Sequence, residues 1–359
     1  MFPNTKKYII IEGKEFSCEE FKKESLPVFM QKSVFHLHLF EFLKDWFSDT
    51  DTVEVKTSGS TGEPKVMRVS KQKMINSAEL TCNFLELKAH DKALLCLPLE
   101  YIAGKMVVIR AITAQLDLHL VEPEGNPLTK TTETDFAFAA MIPLQIYNSL
   151  INNAIKLEKI KNIIIGGGTV DAILEKKLQP LTNNIYSSYG MTETLSHIAL
   201  RCINGMKKSS NYVPFNSVKI SLKEDSTLVI EAPLVSDNII YTNDMAEIFP
   251  DGSFSITGRK DNIINSGGIK IQPEVVENLL RPLIDFPFAI TSLPDEKLGE
   301  IVVLVTENQI NPSIFSHLPK YCKPRKIIVT DKIPTTETGK IMRQALKNLL
   351  FVNNFSCPS

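Results

Sequence analysis

Between residues 34 and 47 the apolar positions Phe35, Leu39, Phe42 and Trp46 recur at helical spacing, so they would fall on one buried stripe and predict a helix. The pattern then shortens. Residues 66–69 read as a strand, with Ser70 placed to cap the helix that follows. Apolar runs at 93–97, 116–121, 136–140 and 162–165 alternate with helical stretches, which is the pattern of a layered α/β domain.

After about residue 211 the strands become shorter and alternate more closely. A strand is expected at 227–231, then a hairpin at 246–249 and 253–257 turned by Asp251-Gly252. The polar run Gly258-Arg259-Lys260-Asp261 is placed as a linker. Beyond it the pattern predicts a strand at 269–271 and a helix at 274–280 with Pro273 in its first turn. Strands at 301–305 and 326–329 and an amphipathic helix from about 340 to 350 follow, together the size of a small α+β domain.

Composition narrows the classes of function. With 359 residues, 43% of them apolar, the chain can bury a large core. Its 40 basic and 41 acidic residues leave a net charge of -1, with no global pull toward nucleic acid or anionic membrane. This balance suits an enzyme of small molecules. Cys18, Cys82, Cys96, Cys202, Cys322 and Cys357 are scattered without a C-x-x-C pair, which reads as reduced thiols and not a zinc site. His36 and His38, two apart, diverge on a helix. The apolar run at 8–11 is too short for a signal peptide or a membrane span, so the expectation is a soluble, cytoplasmic protein.

Candidate chemistry concentrates in two distant places. Residues 57–65, Thr-Ser-Gly-Ser-Thr-Gly-Glu-Pro-Lys, combine Gly59 and Gly62, which let backbone approach an anion, with hydroxyls that donate to phosphate oxygens and with Lys65. The spacing is not that of a Walker A loop, and an ordinary surface turn is the plain alternative. Near the other end, Lys340 closes the run 334–340, Pro-Thr-Thr-Glu-Thr-Gly-Lys. A phosphate loop and a remote cation suggest a site closed by one part of the chain folding over another.

Segment 57–65 resembles the phosphate-binding signature of the adenylate-forming acyl-CoA synthetase superfamily, the AMP-binding enzymes. Further signatures follow in that family's order: Ser188-Tyr-Gly-Met-Thr-Glu193, Tyr241-Thr-Asn-Asp244, Gly258-Arg-Lys-Asp261 with the glycine turn at 266–273, and 334–340. Within the family, the short length, residues 97–104, Gly166-Gly-Gly168 and residues 189–196 are most similar to ligases of an aromatic acid that bears a second carboxylate.

The resemblance implies a large layered α/β N-terminal domain, abridged, over 1–258, a hinge at 259–261, and a small mobile α+β lid over 262–359. It also implies ATP, Mg2+ and coenzyme A, a small-molecule carboxylic acid as substrate, and no nucleic acid or membrane partner; a homo-oligomer stays open. Thr57, Ser58, Gly59, Ser60, Thr61, Gly62 and Lys65 would hold the triphosphate, Thr192 the α-phosphate, and Glu193 the Mg2+, a hard cation that prefers oxygen. Lys340 would neutralise charge developing between carboxylate and phosphate. Asp244, assisted by Arg259, would take the ribose hydroxyls. Gly167, Gly168, Ser188, Tyr189 and Gly190 would surround the nucleotide base. Asp261 would be the hinge, with Gly267 and Gly268 passing the pantetheine arm.

For the second carboxylate a cation is expected, and Arg110, ahead of Lys105, is the candidate, with a solvated helix residue as the plain alternative for both; Gly166, Ser196 and His197 would line the same pocket. Each role has a plain counterpart: Glu193 as a first-turn helix acid, Asp244 as a turn former, Arg259 as a surface cation, Lys340 as a helix-start residue and His197 as a core histidine. Two departures stand out. Asn243 replaces the family's glycine, where it can tolerate a left-handed turn. The phosphate loop also starts at residue 57, earlier than in relatives, so a shortened first subdomain is the expectation. Other readings are a CoA ligase for another aryl or acyl acid and a nucleotide-binding relative without turnover. An amino-acid-activating domain is disfavoured, because 97–104 lacks an aspartate to pair with an amine.

Overall fold

The computed structural model describes residues 7–23, 28–56, 66–133, 135–336 and 341–355. Contacts divide them into two units, the first drawn from 1–170, 178–219 and 231–240, and the second from 171–177, 220–230 and 241–359.

In the first unit the chain runs β1 (Tyr8–Ile11), β2 (Lys14–Ser17), α1 (Cys18–Lys22), α2 (Val34–Trp46), β3 (Thr52–Lys56), β4 (Val66–Ser70) and α3 (Lys71–Phe84). It continues through β5 (Lys92–Leu95), α4 (Ile102–Ala114), β6 (Asp117–Leu120), β7 (Phe136–Met141), α5 (Pro143–Asn152), α6 (Ala154–Glu158) and β8 (Ile160–Ile165). After α7 (Ala172–Leu178), grouped with the second unit except for its last residue, come β9 (Asn184–Gly190), β10 (His197–Cys202) and β11 (Val213–Pro214).

One sheet holds nine of these strands in the order β11-β10-β9-β8-β7-β5-β6-β1-β2. From β9 to β1 neighbours are parallel, and β2, β10 and β11 are antiparallel additions at the rims. The parallel strands are covered on both faces, which is why Ala93, Leu94 and Leu95 and then Ile163, Ile164 and Ile165 read as unbroken apolar runs. After β5 the chain first adds β6 on one side and then places β7 on the other. The connections leaving the carboxyl ends of β5 and β7 therefore diverge, and such switch points open the crevice where α/β sheets bind ligands.

The helix expected at 34–47 is α2. Ser33 caps it by accepting from the His36 backbone, and Phe35, Leu39, Phe42 and Trp46 are all buried, each stabilising by about 1.5–3 kcal/mol. Ser70 does stand at the N-cap of α3, but its hydroxyl makes no capping bond. The β1–β2 hairpin escaped the pattern reading, and it turns on Glu12 and Gly13, both at positive φ.

The second unit contains a four-stranded sheet, β12 (Lys219–Leu222), β13 (Thr227–Glu231), β14 (Ile240–Ile248) and β15 (Phe254–Arg259), in that order. After it come β16 (Ile264–Ser266), β17 (Ile269–Ile271), α8 (Pro273–Leu280), β18 (Phe288–Asp295), β19 (Gly299–Thr306), β20 (Lys326–Val329) and α9 (Arg343–Phe355). The five strands form one sheet with two apolar faces. Phe288, Ile290, Val302 and Leu304 pack with Val276 and Leu280 of α8, whereas Ala289, Leu293, Val303 and Val305 pack with Leu346 and Leu350 of α9. In the run 258–261, placed as a linker, Gly258 and Arg259 complete β15 and Lys260–Asn262 form a 3-10 turn. The last helix, expected from about residue 340, runs from Arg343.

Candidate active site

In the first unit the glycine run 166–168 follows directly on β8, and the register pairs Ile165 with Ser187 of β9. Ser188 thus lies beside Gly166, and its hydroxyl donates to the Ile165 carbonyl at 3.0 Å. Gly190 faces His197 across the β9–β10 pair, where a Cβ would stand 2.3 Å from the Ser196 carbonyl oxygen, so only glycine fits. The Tyr189 ring lies 5.8 Å from that of Tyr212.

Past Gly190 the residues Thr192–Thr194 make a single 3-10 turn. The buried Thr194 hydroxyl closes it, accepting from the Met191 amide at 3.0 Å and lying 2.7 Å from the Ser196 carbonyl. Leu195 is held at φ 64, a strained conformation for leucine that such a closed turn can enforce. Thr192 is half-buried and Glu193 is exposed. A carboxylate such as that of Glu193 is the kind of oxygen ligand a hard divalent cation prefers.

Arg110 reaches the same place from α4. It is only 2% exposed, its guanidinium lies 5.9 Å from the Phe138 ring centre, and Nη2 donates to Ser196 Oγ at 2.7 Å. Its Nε–H has no partner and no described carboxylate pairs with it. Burial pushes its pKa down to about 10, which still leaves it charged at neutral pH. Ser196 Oγ lies 3.3 Å from His197 Nδ1, and His197 Nε2 lies 3.0 Å from Thr81 Oγ1. Burial first, and the Arg110 charge second, push the His197 pKa well below its ordinary value and keep the ring neutral. Lys105, the other candidate cation, donates to the Glu54 carbonyl at 2.6 Å and lies over the Phe42 ring.

Arg110, Ser196 and His197 are therefore brought together, joined through Gly190 and Ser188 to the 166–168 loop and followed closely in sequence from Thr192 and Glu193. Thr81 was missed by the sequence reading. A threonine on the inner face of a helix carries no signal unless its partner is known.

In the second unit Asp244, Arg259 and Asp261 form another cluster. Arg259 donates to Asp244 Oδ1 through Nη1 and to Asp261 Oδ2 through Nη2, both at 2.9 Å. Asn243 lies inside β14 without a positive φ, so the left-handed turn anticipated there is not needed, and its amide donates to Asp261 Oδ2 at 3.2 Å. Lys260 pairs with Asp225 at 2.7 Å. Gly267 and Gly268 turn β16 into β17 at φ 59 and 82, a two-residue hairpin that asks for residues free to take positive φ. Thr57, Ser58, Gly59, Ser60, Thr61, Gly62, Lys65 and Lys340 lie outside the described residues.

Comparison with known proteins adds a family. The profile of the AMP-binding enzymes matches residues 55–232. A 2-succinylbenzoate–CoA ligase of Lactococcus lactis is 24% identical over 330 residues, covering 84% of this chain and 72% of that protein. Its Escherichia coli K12 counterpart is 27% identical over 317 residues, covering 81% and 67%. Among solved structures, an AMP-forming acyl-CoA synthetase/AMP-acid ligase II-like protein from Dyadobacter fermentans is 32% identical with a TM-score of 0.63, covering 93% of this chain and 97% of that one. The O-succinylbenzoate coenzyme A synthetase of Bacillus subtilis, in complex with ATP and magnesium, superposes with a TM-score of 0.73 over 82% of this chain and 69% of its own, a likeness of fold at 22% identity.

Proposed function

Because the chain belongs to the AMP-binding, adenylate-forming acyl-CoA synthetase family, we propose that it is an AMP-forming acid–CoA ligase that activates o-succinylbenzoate with ATP and Mg2+ and transfers the acyl group to coenzyme A. The product, o-succinylbenzoyl-CoA, belongs to menaquinone biosynthesis. A cytoplasmic location is part of the same proposal, and among the described residues no helix is long and apolar enough to cross a membrane.

One observation carries the choice of acid. A buried guanidinium costs folding energy unless a partner offsets it, and Arg110 keeps an unpaired Nε–H and no acidic neighbour among the described residues. An acid with two carboxylates can react through one and leave the other for this cation. Ser196 and His197 would line that end of the pocket, with Gly166 leaving room for a flat ring.

In the first step a carboxylate oxygen bonds to the α-phosphorus and the bond to pyrophosphate breaks. In the second the coenzyme A sulfur bonds to the acyl carbon, its proton passes to solvent, and AMP leaves. Bound Mg2+ would supply charge neutralisation on phosphate oxygens, with Glu193 as its protein ligand. Thr57, Ser58, Gly59, Ser60, Thr61, Gly62 and Lys65 would hold the triphosphate and Thr192 the α-phosphate. Gly167, Gly168, Ser188, Tyr189 and Gly190 would frame the base. Asp244, steadied by Arg259, would bind the ribose, and Lys340 would stabilise the charge that develops in the first transition state. The division assigned to these roles is 1–258 for ATP and acid, 259–261 for a hinge centred on Asp261, and 262–359 for the part bearing Lys340, Gly267 and Gly268.

The test is ATP–pyrophosphate exchange with o-succinylbenzoate, benzoate and 4-oxo-4-phenylbutanoate, which lacks the ring carboxylate, followed by AMP release with and without coenzyme A. We expect o-succinylbenzoate to be preferred by at least about 10-fold in kcat/KM, the scale of one charge-assisted contact, and Arg110→Leu to abolish the preference. Equal use of 4-oxo-4-phenylbutanoate by the unaltered protein would overturn the assignment of the acid, and a greater rate with another aryl or acyl acid would replace it.

A further inference from the structure

The contacts behind Arg110 fix which atom gives each proton. Thr81 Oγ1 lies 3.2 Å from the Ser77 carbonyl one turn earlier in α3, and a carbonyl can only accept, so the single hydroxyl proton of Thr81 is committed there. His197 Nε2, 3.0 Å from the same hydroxyl oxygen, must then be the donor. A neutral ring protonated on Nε2 has its lone pair on Nδ1, so Ser196 Oγ–H donates to Nδ1 across 3.3 Å. Ser196 is left with lone pairs for Arg110 Nη2–H at 2.7 Å. The chain of donors therefore runs in one direction from Arg110 through Ser196 and His197 to Thr81 and the Ser77 carbonyl.

Resting on the function proposed above, we propose that Thr81 is a positioning residue for the second carboxylate: it locks His197 as the Nε2–H tautomer, commits the Ser196 proton to His197, and so holds Arg110 with its Nε–H presented to the anion. Thr81 is fully buried, 0% exposed, and reaches the pocket through His197, Ser196 and Arg110 in turn. Without its hydroxyl, His197 Nε2 loses its acceptor and the ring gains by carrying its proton on Nδ1, toward Ser196. Ser196 Oγ, already accepting from Arg110 Nη2–H, must then accept from Nδ1–H as well, and its own proton loses the acceptor that fixed its direction. The guanidinium loosens, and the cost falls on the acid that uses it.

Thr81→Val keeps the shape and removes the hydroxyl, and Thr81→Ser keeps the hydroxyl. We expect Thr81→Val to raise KM for o-succinylbenzoate about 10-fold in pyrophosphate exchange, with kcat, the KM for ATP and the KM for 4-oxo-4-phenylbutanoate changed by less than about twofold, and Thr81→Ser to stay near the unaltered protein. In 15N-histidine-labelled protein, with His197→Gln to assign the signal, His197 should be the Nε2–H tautomer and should shift toward Nδ1–H in Thr81→Val. A resting Nδ1–H tautomer, or a Thr81→Val variant equally impaired with both acids, would sink the proposal alone. Lack of exchange with o-succinylbenzoate in the unaltered protein would remove the proposed function and this inference with it.

Discussion

At the scale of single residues, burial decides which groups are chemically poised and which are inert. Cys82 and Cys96 are pushed up to about 11 and about 12 by desolvation, so neither thiol is a nucleophile at neutral pH. His197 moves the other way, held neutral well below the ordinary 6.5. In the interval below pH 6.5 the unfolded chain therefore binds a proton that the folded chain refuses, so this contribution to stability is full above 6.5 and is lost on acidification. The limiting slope is about 1.4 kcal/mol per pH unit. Urea unfolding near pH 7 and near pH 5.5 should show a smaller pH dependence for His197→Gln than for the unaltered protein. His36, also lowered by burial, is common to both and cancels. An identical dependence in the two would contradict a neutral core histidine. Arg110, Ser196 and His197 could be singled out from their types and their place beside recognised motifs, but the threonine behind them could not, because hydroxyls acquire direction only from three-dimensional neighbours.

At the scale of elements, two junctions should be intolerant of change for different reasons. Gly190→Ala would drive a Cβ into the Ser196 carbonyl, backbone against backbone, so the β9–β10 pair must shift. We expect a loss of about 1–3 kcal/mol, read as a lower urea midpoint. In the second unit Arg343 donates to both carboxylate oxygens of the buried Glu277, at 3.0 and 2.8 Å, and to the Ile290 carbonyl. Arg343→Met would strand that carboxylate and cost about 3–5 kcal/mol, whereas the Arg343→Met/Glu277→Gln pair should recover much of it. A double variant no better than the single one would show that packing, not charge, is at stake. The strands found from sequence include apolar runs of the parallel sheet and, outside it, 66–69, 227–231, the hairpin at 246–257, 269–271, 301–305 and 326–329. Phe288–Asp295 was missed because both of its faces are covered, and its buried Thr291 and Ser292 interrupt the apolar signal. The first hairpin was hidden by Glu12, an unusual residue for a positive-φ turn position.

At the scale of the whole molecule, the order of motifs along the chain identified the family where no single motif could, since each alone has a plain structural explanation. The fold class and part of the layering were legible for the same reason that they are stable: many apolar runs in this chain become buried strands. The side-chain network around Asp261 was not, because Asn243, Arg259 and Asp261 are polar residues in a polar stretch. Under the proposed reaction, Lys340→Ala should reduce adenylate formation by at least about 100-fold while ATP binding changes little, and near-normal pyrophosphate exchange would refute that role. Asp261→Pro should slow thioester formation more than adenylation by restricting the backbone. Asp261→Ala, which loses only the contacts to Arg259 and Asn243, separates backbone freedom from hydrogen bonding, and equal loss of both half-reactions in the proline variant would count against a hinge.

The nine-stranded sheet ends on one rim at Val213–Pro214, two residues long, and on the other at Lys14–Ser17, where Lys14 and Glu15 are exposed. A proline offers no amide to a stranger's strand, and exposed charged side chains must be stripped of water before anything can lie against them. Both rims of so large an apolar sheet are thus poor templates for the strand of another molecule.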